Sequence, residues 1–497
     1  MTTKRSSLSR RMFLAGLTAG TAALAGCGVE AEDDLEHDDS LAEGIKPSDI
    51  EDTCGATAAA APNLLIIHTD QQCRWTLGSY GGTLVKTPFI DTIARQGVVL
   101  DNFFTNGATC TPSRGCLLTG RYPHQHGAYR NNEPIKGNAV TLAHSLRAAG
   151  YKTGYAGKWH LTGKEGEGPG WRPENPLGFD DNTWMFNAGH YKELVEQGGG
   201  RPPKVSFKVG NQKTYPTDFL TTKAIEFLKA HKGERFFFML SIPNPHDPFK
   251  VRAPYADRYH AGSMPLPATY PKNGKGAMVS PAQLREDKAQ YCGMVKCIDD
   301  NVGRILAALD QLGLAENTVV VFMTDHADYM GEHGRMGKDH YYEEALHIPC
   351  IVRYPGRVPC GSRVERMISM VDLAPTLLGL MNVPNTGSPA GKSAAKLLQG
   401  LPDGTWSDDV HVHRYFQDKY TLNDFACLFT PDHELVVQKD DPPQLFLRAD
   451  YPAVTNLYGR PEHAEIQHAL ESRMLAHHKQ VGSPLHDWLK KKIPSKG

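Results

Sequence analysis

Short apolar runs alternate with amphipathic stretches along most of the chain from Pro62 onward. The continuous apolar runs predict strands that are buried on both faces of a sheet, at residues 63–68, 236–241, 318–323 and 348–352. A shorter run at residues 151–156 predicts another strand. Amphipathic spacing predicts a helix at residues 89–97 and one long helix, or two, at residues 280–312.

Strands that alternate with helices indicate an α/β fold whose large, mostly parallel or mixed sheet is sandwiched by helices. A segment rich in Gly, Ser and Pro at residues 384–389 predicts a boundary or a long loop. The pattern beyond it predicts a smaller sheet closed by a helix, with strands at residues 410–416 and 425–429 and the helix at residues 462–479. We therefore predict a large domain over residues 62–385 and a smaller C-terminal α+β subdomain over residues 386–497.

Residues 1–26 have the composition of an export signal, with four basic residues ahead of an apolar stretch rich in Ala, Gly and Thr. The pair Arg10-Arg11, flanked by Ser9 and by Phe13-Leu14, resembles a twin-arginine signal. A general secretory signal with two chance arginines is the alternative. We expect the twin-arginine export machinery to be a partner, and both interpretations exclude this segment from the fold.

Residues 24–27 read Leu-Ala-Gly-Cys, which resembles a bacterial lipobox. Lipoprotein processing would cleave before Cys27 and acylate it, whereas ordinary cleavage nearby would leave Cys27 incidental. We expect the first outcome, which makes the chain an exported bacterial lipoprotein of the periplasm or cell surface, attached to the membrane through Cys27. No apolar run in the mature body of the chain is long enough to span a bilayer.

The segment that follows is acidic, because residues 28–52 hold eleven Asp and Glu residues against Lys46 alone. Such a composition, which also lacks aromatic residues, buries too little apolar surface to fold, so we predict a flexible tether over residues 27–61. The whole chain has a net charge of −1, and the body without signal and tether is slightly basic. That charge suits anionic substrates, and the sequence contains no dense Lys/Arg patch that would indicate nucleic acid as a partner.

Ten cysteines are present, and an exported compartment would permit disulfides. Cys350 and Cys360 flank a predicted strand and turn, so they are a candidate pair. Cys292 and Cys297 lie five residues apart on the long predicted helix and face different sides, so no bond between them is expected.

Polar side chains follow three of the predicted strands at their carboxyl ends. Asp70 and Gln71 follow the first strand, His246 lies in the loop after a later one, and Asp325 and His326 follow the clearest strand. Ligands of open α/β sheets bind beyond the carboxyl ends of the strands. Acidic residues from distant parts of the chain can converge there on a hard cation, so these strand ends are the candidate metal site.

Residues 110–120 read Cys-Thr-Pro-Ser-Arg-Gly-Cys-Leu-Leu-Thr-Gly. This run resembles the signature of the type I sulfatases, which belong to the alkaline phosphatase-like superfamily. In that family a formylglycine-generating enzyme oxidises the cysteine to Cα-formylglycine (3-oxoalanine), and the hydrate of this aldehyde attacks sulfur. The resemblance implies that Cys110 is the precursor of the nucleophile and that Arg114 stabilises the hydrate. A buried structural cysteine and a simple thiol nucleophile are the alternatives, and the sequence around Cys110 has no Cys-His pattern to favour the thiol.

Two further segments resemble motifs of the same family. Residues 157–160 read Gly-Lys-Trp-His, which implies that Lys158 binds sulfate and that His160 accepts a proton from the second hydroxyl of the hydrate. Without the resemblance, this run would be interpreted as the exposed end of a strand. His246 and Lys338 match the histidine and lysine on the leaving-group side, where they are candidates to supply the acid. A lone lysine is usually only solvated, so Lys338 depends on the match of its surroundings.

Residues 323–334 resemble the second metal-binding segment of the family. The resemblance implies one divalent cation bound by Asp70, Gln71, Asp325, His326 and the converted Cys110. Calcium is the expected ion, but many members have Asp and Asn where this chain has Gln71 and His326, so manganese, magnesium and zinc stay open. Gln71 has the alternative role of forming hydrogen bonds from outside the ligand set.

The resemblance covers residues 62–384 and implies a sulfuric ester hydrolase that converts the sulfate monoester of a small molecule or glycan to alcohol and sulfate. A phosphonate or phosphate ester hydrolase on the same scaffold is the first alternative, and the pair Lys158 and His160 favours the sulfatase because the phosphonate branch generally lacks it. A binding lipoprotein without catalysis is the second alternative. The filled catalytic positions argue against it.

Overall fold

The computed structural model describes residues 44–493 except 59, 163–172, 174, 188–191, 199–202, 415–423 and 451–454. The predicted signal over residues 1–26 and the predicted lipid site at Cys27 lie outside the described residues. Within those ranges no helix is both long enough and apolar enough to cross a membrane.

Secondary structure is numbered in chain order. The strands are β1 Asn63–Thr69, β2 Val98–Phe104, β3 Lys152–Lys158, β4 Asp181–Phe186, β5 Glu193–Val195, β6 Lys204–Ser206, β7 Phe236–Ser241, β8 Thr318–Thr324, β9 Cys350–Arg353, β10 Ser362–Ser369, β11 Val410–Arg414, β12 Phe425–Phe429, β13 His433–Gln438 and β14 Gln444–Leu447. The helices are α1 Pro88–Arg95, α2 Cys110–Thr119, α3 Pro123–His126, α4 Leu142–Ala148, α5 Pro216–Ala230, α6 Pro281–Gln311, α7 Glu343–Leu346, α8 Met370–Leu380, α9 Ala395–Leu398, α10 Ala464–Gln480 and α11 His486–Lys492.

Eight strands form a large sheet in the order β10-β2-β9-β8-β1-β7-β3-β4. Neighbouring strands are parallel, except that β9 is antiparallel to both β8 and β2. A four-stranded antiparallel sheet, β11-β12-β13-β14, lies nearer the C-terminus, and β5 pairs with β6. This arrangement confirms the predicted α/β class with a large mixed sheet and a smaller C-terminal sheet.

The large sheet is buried on both faces, which explains its uninterrupted apolar strands. Leu64 and Ile66 of β1 pack in one core, together with α2, α4 and α8. Leu65 and Ile67 point to the opposite face and pack in a second core with α1 and α5. Because successive side chains of a strand alternate between faces, one continuous apolar run contributes to two cores.

Most of the predicted elements are confirmed within two residues of their predicted bounds. β7 coincides with its prediction, whereas β3 runs two residues further and ends at Lys158. The region at residues 280–312 is one helix, α6, where Ser280 caps the start by accepting a hydrogen bond from the backbone of Gln283. In the C-terminal region, the strands β11 and β12 and the helix α10 are found where the sequence predicted two strands and a helix.

The predicted division at residue 385 stays a prediction. Leu397 and Leu398 of α9 still pack in the core of the large sheet, and the smaller sheet begins only at Val410. The structural change along the chain therefore falls between α9 and β11.

The predicted flexible tether over residues 27–61 is wrong for the part that the structure describes. Residues 47–49 form a 3-10 turn, and Ile50 packs, only 7% exposed, in the core that contains α1. The backbone N–H of Glu51 donates to a carboxylate oxygen of Asp310 at 2.9 Å. The burial of Ile50 and the hydrogen bond of Glu51 attach this segment to the large domain, although its composition predicts a solvated chain. Residues 27–43 lie outside the described residues.

The candidate pair Cys350 and Cys360 is also wrong. Cys360 forms a disulfide with Cys54, 306 residues away in the sequence. Cys350 is a fully buried free thiol at the start of β9, packed in the core of the large sheet. The disulfide thus fastens the N-terminal segment to the loop before β10.

Candidate active site

The ends of β1 and β8 bring two carboxylates together. These strands are parallel neighbours with Thr69 opposite Thr324, so the residues that follow them emerge side by side at the same edge. Asp70 and Asp325 are both fully buried there. The backbone N–H of Gln71 donates to Oδ1 of Asp325 at 3.1 Å, which joins the two strand ends directly.

Cys110 is the first residue of α2, and its side chain lies against these strand ends. Its Sγ is 3.1 Å from Nε2 of His326, 3.6 Å from Nζ of Lys158 and 4.0 Å from Oδ1 of Asp70. The residue is 1% exposed. The structure therefore places the predicted precursor of the nucleophile beside both the carboxylates and a cation.

Arg114, one turn further along α2, ties these groups into a network. Its Nε donates to Asp325 at 3.0 Å and its second terminal nitrogen donates to Asp70 at 2.9 Å. The other terminal nitrogen donates to the backbone oxygen of Lys158 at 2.8 Å. Burial by itself would lower the pKa of Arg114, but the two carboxylates raise it above its ordinary value. The guanidinium is a permanent cation that fixes both carboxylates.

Asp70, Cys110, Asp325 and His326 form a possible metal-binding cluster. One ligand atom from each lies within 4.8 Å of all the others, and all four residues are buried. Nδ1 of His326 lies 3.2 Å from the backbone oxygen of Ala327, which leaves Nε2 directed at Cys110. Two carboxylates and an imidazole nitrogen are donors that suit a divalent cation, so the residues fit the metal that the sequence predicts.

Gln71 lies next to this cluster, but its side chain is engaged elsewhere. Its amide oxygen accepts a hydrogen bond from Nζ of Lys338, and its amide nitrogen donates to the carboxylate of Asp328. Asp328 also accepts the backbone N–H groups of Met330 and Gly337. This geometry matches the alternative role considered for Gln71, a hydrogen-bonding residue outside the ligand set.

Lys158 and His160 extend from the end of β3 on the other side of Cys110. Nζ of Lys158 lies 2.5 Å from Oδ2 of Asp70, and both side chains are fully buried. Nε2 of His160 donates to Oδ1 of Asn132 at 3.0 Å, and the buried Nδ1 has no hydrogen-bond partner among the described residues. Burial lowers the pKa of His160, although Cys110 opposes this effect, so the imidazole is neutral near pH 7 and able to accept a proton.

His246 and Lys338 form a hydrogen-bonded pair. Nζ of Lys338 donates to Nε2 of His246 at 2.6 Å, and Nδ1 of His246 donates to the backbone oxygen of Asp247 at 2.8 Å. Burial would lower the pKa of Lys338, but the anionic groups at Cys110 and Asp70 raise it. Lys338 is thus held as a cation close to the reacting position.

The electrostatic environment at Cys110 favours negative charge. Burial alone would raise the pKa of its thiol, but Lys158, Lys338 and His326 together bring it well below its ordinary value. Cations that stabilise a thiolate at this position also stabilise other anions placed there, including the oxygens of an ester of sulfuric or phosphoric acid.

Two asparagines that the sequence did not single out also belong to the site. Asn131 accepts the backbone N–H of Thr111 at 3.0 Å and approaches Sγ of Cys110 at 3.9 Å. Asn132 holds His160, as described above. An Asn-Asn pair in a turn is too common to mark as functional without knowing that this turn folds back over the start of α2.

Two other histidines, His126 and His333, lie outside this network. His126 packs against α2, with Nε2 at 3.2 Å from the backbone oxygen of Pro112. Nε2 of His333 lies at hydrogen-bond distance, 2.8 Å, from Oε1 of Glu344.

Comparison with known proteins gives a consistent family. Residues 62–383 match the family model described as sulfatase, and residues 331–480 match the model described as N-sulphoglucosamine sulphohydrolase, C-terminal. The curated N-acetylglucosamine-6-O-sulfatase of Bacteroides thetaiotaomicron is 27% identical over 490 residues, which cover 82% of this chain and 85% of that protein.

Solved structures of other proteins are similar to this chain over most of its length. One in complex with its substrate D-glucosamine-2-N,6-O-disulfate is similar with a TM-score of 0.72 at 25% identity, covering 86% of this chain and 99% of the other. A phosphonate monoester hydrolase of Agrobacterium radiobacter has a TM-score of 0.72 at 23% identity, covering 84% and 96% respectively. At this level of identity the second likeness concerns the fold alone.

Proposed function

The chain belongs to the sulfatase family and hydrolyses sulfate esters, and from that premise we propose that its nucleophile is the hydrate of a formylglycine made from Cys110. The observation that carries this proposal is the position of Cys110. It is buried at the start of α2 and within 4.0 Å of His326, Lys158 and Asp70. A formylglycine-generating enzyme is accordingly a required partner.

In the first step, one hydroxyl of the hydrate gives its proton to the carboxylate of Asp70, whose Oδ1 lies 4.0 Å from Sγ of Cys110. Its oxygen forms a bond to sulfur while the bond from sulfur to the ester oxygen breaks. The leaving oxygen takes a proton and departs as the alcohol. Lys338 and His246, joined by their 2.6 Å hydrogen bond, supply that proton. Lys158 and Arg114 provide positive charge on the opposite side, where charge builds up on the sulfuryl oxygens.

In the second step, the remaining hydroxyl gives its proton to His160. The bond from carbon to the sulfate oxygen then breaks, the aldehyde forms again and sulfate is released. His160 suits this role because its pKa is lowered by burial and its Nδ1 has no partner among the described residues. Asn132 fixes the tautomer by accepting the proton on Nε2.

Asp70, Asp325 and His326 would hold one divalent cation beside the nucleophile, with calcium proposed ahead of manganese, magnesium and zinc. When bound, the cation would neutralise negative charge on the sulfuryl oxygens. Gln71 acts from outside this set by holding Lys338.

For the substrate we propose a sulfated sugar, with a 6-O-sulfated amino sugar as the first candidate. The proposal is supported by the relative that is an N-acetylglucosamine-6-O-sulfatase and by the neighbour whose substrate is a disulfated glucosamine. A panel of sulfated monosaccharides and aryl sulfates, assayed on purified protein, tests it. Turnover of aryl sulfates without turnover of any sulfated sugar would contradict the sugar assignment.

Peptide mass spectrometry over residues 110–120 tests the nucleophile. Conversion of the thiol to the aldehyde lowers the peptide mass by about 18 Da, because sulfur and its hydrogens are replaced by oxygen. Cys110→Ala should abolish hydrolysis while leaving the thermal melting temperature close to that of the parent. An active protein whose Cys110 is entirely an unmodified thiol would overturn the proposal.

Parallel assays on 4-nitrophenyl sulfate and 4-nitrophenyl phenylphosphonate separate the sulfatase from a phosphonate hydrolase with the same fold. Lys158 and His160 favour sulfate. A much larger kcat/KM for the phosphonate would identify sulfate ester hydrolysis as the secondary activity.

We further propose that the protein is exported through the twin-arginine pathway and anchored to the membrane by a lipid on Cys27. Support comes from the Arg10-Arg11 pair and from the Leu-Ala-Gly-Cys sequence at residues 24–27. Replacement of both arginines by lysine should retain the protein in the cytoplasm of a bacterial host. Cys27→Ala should release the exported protein from membranes, and a membrane fraction unchanged by that substitution would exclude the lipid anchor.

A further inference from the structure

A cavity of about 650 Å³ lies outside the active site described above. Its described lining comes from the segment between β1 and α1, the loop at residues 265–267, helix α6, the segment after β8 and helix α7. The described lining residues do not include Cys110, Lys158, His160, His246 or Lys338. The volume falls in the range of about 300–1,000 Å³ that is usual for sites of small ligands.

Asp328 connects the wall of this cavity to the active site. The residue lines the cavity, and its carboxylate accepts the amide N–H of Gln71. The amide oxygen of Gln71 accepts in turn from Nζ of Lys338. Two side chains therefore separate the cavity from the proposed acid, so a ligand in the cavity would be a neighbour of the reacting ester and would not itself react.

Apolar and aromatic groups form one part of the lining. Trp75 and Tyr80 are only half-buried there, and Leu84 and Leu266 line the cavity beside them. An indole ring offers a large flat apolar surface at little cost in conformational freedom. Such a surface suits the C–H face of a sugar ring.

Two charged side chains of the lining form no ion pair in the described part of the chain, Lys288 and Glu332. Nζ of Lys288 donates to the backbone oxygen of Pro265 at 3.1 Å and lies 5.4 Å from the centroid of the Trp75 ring. The carboxylate of Glu332 accepts the hydroxyl of Thr269. An ammonium group has three donors and a carboxylate about four acceptor sites, so both side chains retain capacity for a polar ligand.

Tyr329 belongs to the same wall and has a polar atom without a partner. The residue is 1% exposed, and its hydroxyl forms no hydrogen bond among the described residues. Buried polar groups are usually hydrogen-bonded, so this part of the wall also favours a ligand that carries hydroxyl groups.

The charges of the lining disfavour a sulfated ligand. Four carboxylates line the cavity against two basic side chains; they are Asp328, Glu332, Glu343 and Glu344 against Arg74 and Lys288. This excess of negative charge repels a sulfate group. An uncharged sugar unit avoids the repulsion, and its hydroxyl groups both donate to a carboxylate and accept from an ammonium group.

We propose that this cavity is a second, non-catalytic site that binds an uncharged sugar unit, with the ring face on Trp75 and the hydroxyl groups between Glu332 and Lys288. The choice of a sugar rests on the proposed function, in which the substrate is a sulfated sugar. The site would hold a part of a glycan that carries no sulfate.

Isothermal titration calorimetry with N,N′-diacetylchitobiose, an uncharged disaccharide of N-acetylglucosamine, tests the site. The titration is repeated in saturating inorganic sulfate, the reaction product, which occupies the active site. We expect the parent to bind the disaccharide equally in both conditions. Glu332→Gln and Lys288→Met should each weaken binding about 10- to 100-fold, as for a lost hydrogen bond to a charged group.

Glu286→Gln, at an exposed position of α6, is the matched control and should stay within about twofold of the parent. The glutamine of Glu332→Gln still accepts the Thr269 hydroxyl, and melting temperatures close to that of the parent show that each variant is folded. Two variants on different elements keep the test decisive if one of them does not fold.

Four outcomes would each overturn the proposal: no binding by the parent, loss of binding in sulfate, unchanged binding in both folded variants, and tighter binding of the deacetylated disaccharide, whose amines are cationic. Hydrolysis is measured separately with 4-nitrophenyl sulfate and N-acetylglucosamine-6-O-sulfate. Hydrolysis without disaccharide binding contradicts the sugar site alone, whereas binding without hydrolysis of either ester contradicts the proposed function alone.

Discussion

Nε2 of His326 lies 3.1 Å from Sγ of Cys110, so the residue that would bind the metal and the residue that would become the nucleophile are in direct contact. We expect exhaustive chelation to remove most of the activity and one added divalent ion to restore it. His326→Ala should lower metal occupancy and reduce kcat/KM about 100-fold or more, more than the 10- to 100-fold loss typical of outer hydrogen-bonding partners. Elemental analysis by mass spectrometry identifies the ion. Full activity in a metal-free preparation would contradict the assignment.

Lys338→Met should affect esters with poor leaving groups most. Lys338 donates to His246 on the leaving-group side, and loss of a positioned acid costs about 10²- to 10⁴-fold in rate. A 4-nitrophenolate needs little protonation, whereas a sugar alkoxide needs a full proton. We therefore expect the loss in kcat to be larger for a sugar sulfate than for 4-nitrophenyl sulfate. Lys392→Met, at an exposed position, is the control; equal losses on both esters would exclude the acid role.

Asn132→Asp should move the pH dependence of kcat. A carboxylate in place of the amide that accepts the Nε2 proton of His160 would raise the pKa of His160 by stabilising imidazolium. The base works only when neutral, so activity should disappear at a higher pH as the solution is acidified. Asn317→Asp, at the opposite end of β8, adds the same charge away from the site. If the acidic limb of the pH profile of kcat is the same in Asn132→Asp as in the parent, His160 is not the base.

The sequence predicted those parts of the fold that depend on burial. β1, β7 and β8 lie in the middle of the sheet and are covered on both faces. Side chains on both sides of these strands are therefore buried, so the apolar residues follow one another without interruption. β10 is an edge strand in which Arg363 and Glu365 face solvent, so it has no such run. The antiparallel direction of β9 depends on the path of the connection between β8 and β9, and the local amino-acid composition does not determine that path.

The site was predictable where a motif preserves its order along the chain, as at Cys110, Lys158 and Asp325. Asn132 was not, because its contact with His160 depends on where its loop lies relative to residues distant in sequence. Gln71 illustrates the intermediate case. Its place beside Asp70 was evident, but its hydrogen bond with Lys338 decides its role, and only the structure contains that contact.

Removal of the Cys54–Cys360 disulfide should destabilise the protein. The bond joins residues 306 positions apart, so breaking it frees a long loop in the unfolded chain. We expect the double variant Cys54→Ala/Cys360→Ala to lose about 2–4 kcal/mol of unfolding free energy, the usual range for a native disulfide. Urea denaturation measures it. A reductant should lower the stability of the parent to that of the double variant and leave the variant unchanged; a reductant effect on both would point to another disulfide.

Helix α10 is held by a cluster of histidines, which we define as His124, His411, His413, His477 and His478. The rings of His411 and His477 stack 3.6 Å apart, and Nδ1 of His124 lies 3.4 Å from Nε2 of His413. Burial lowers the pKa of every member, and mutual repulsion lowers those of His413, His477 and His478 further. Asp409, 3.7 Å from His411, provides only partial compensation.

Acid should therefore destabilise this protein by protonating the histidine cluster. These side chains are neutral in the folded state and titrate near pH 6.5 when unfolded, so the unfolded chain binds more protons and stability declines as the pH falls below about 6.5. The pKa of His477 is lowered to about 2, so the decline continues through the whole range from pH 6 to pH 4. His477→Phe preserves the stacked ring and removes one titrating group, and its urea unfolding free energy should fall less steeply over that range than that of the parent. His463→Phe, outside the cluster, is the control, and parallel slopes for all three proteins would exclude the cluster as the acid-sensitive element.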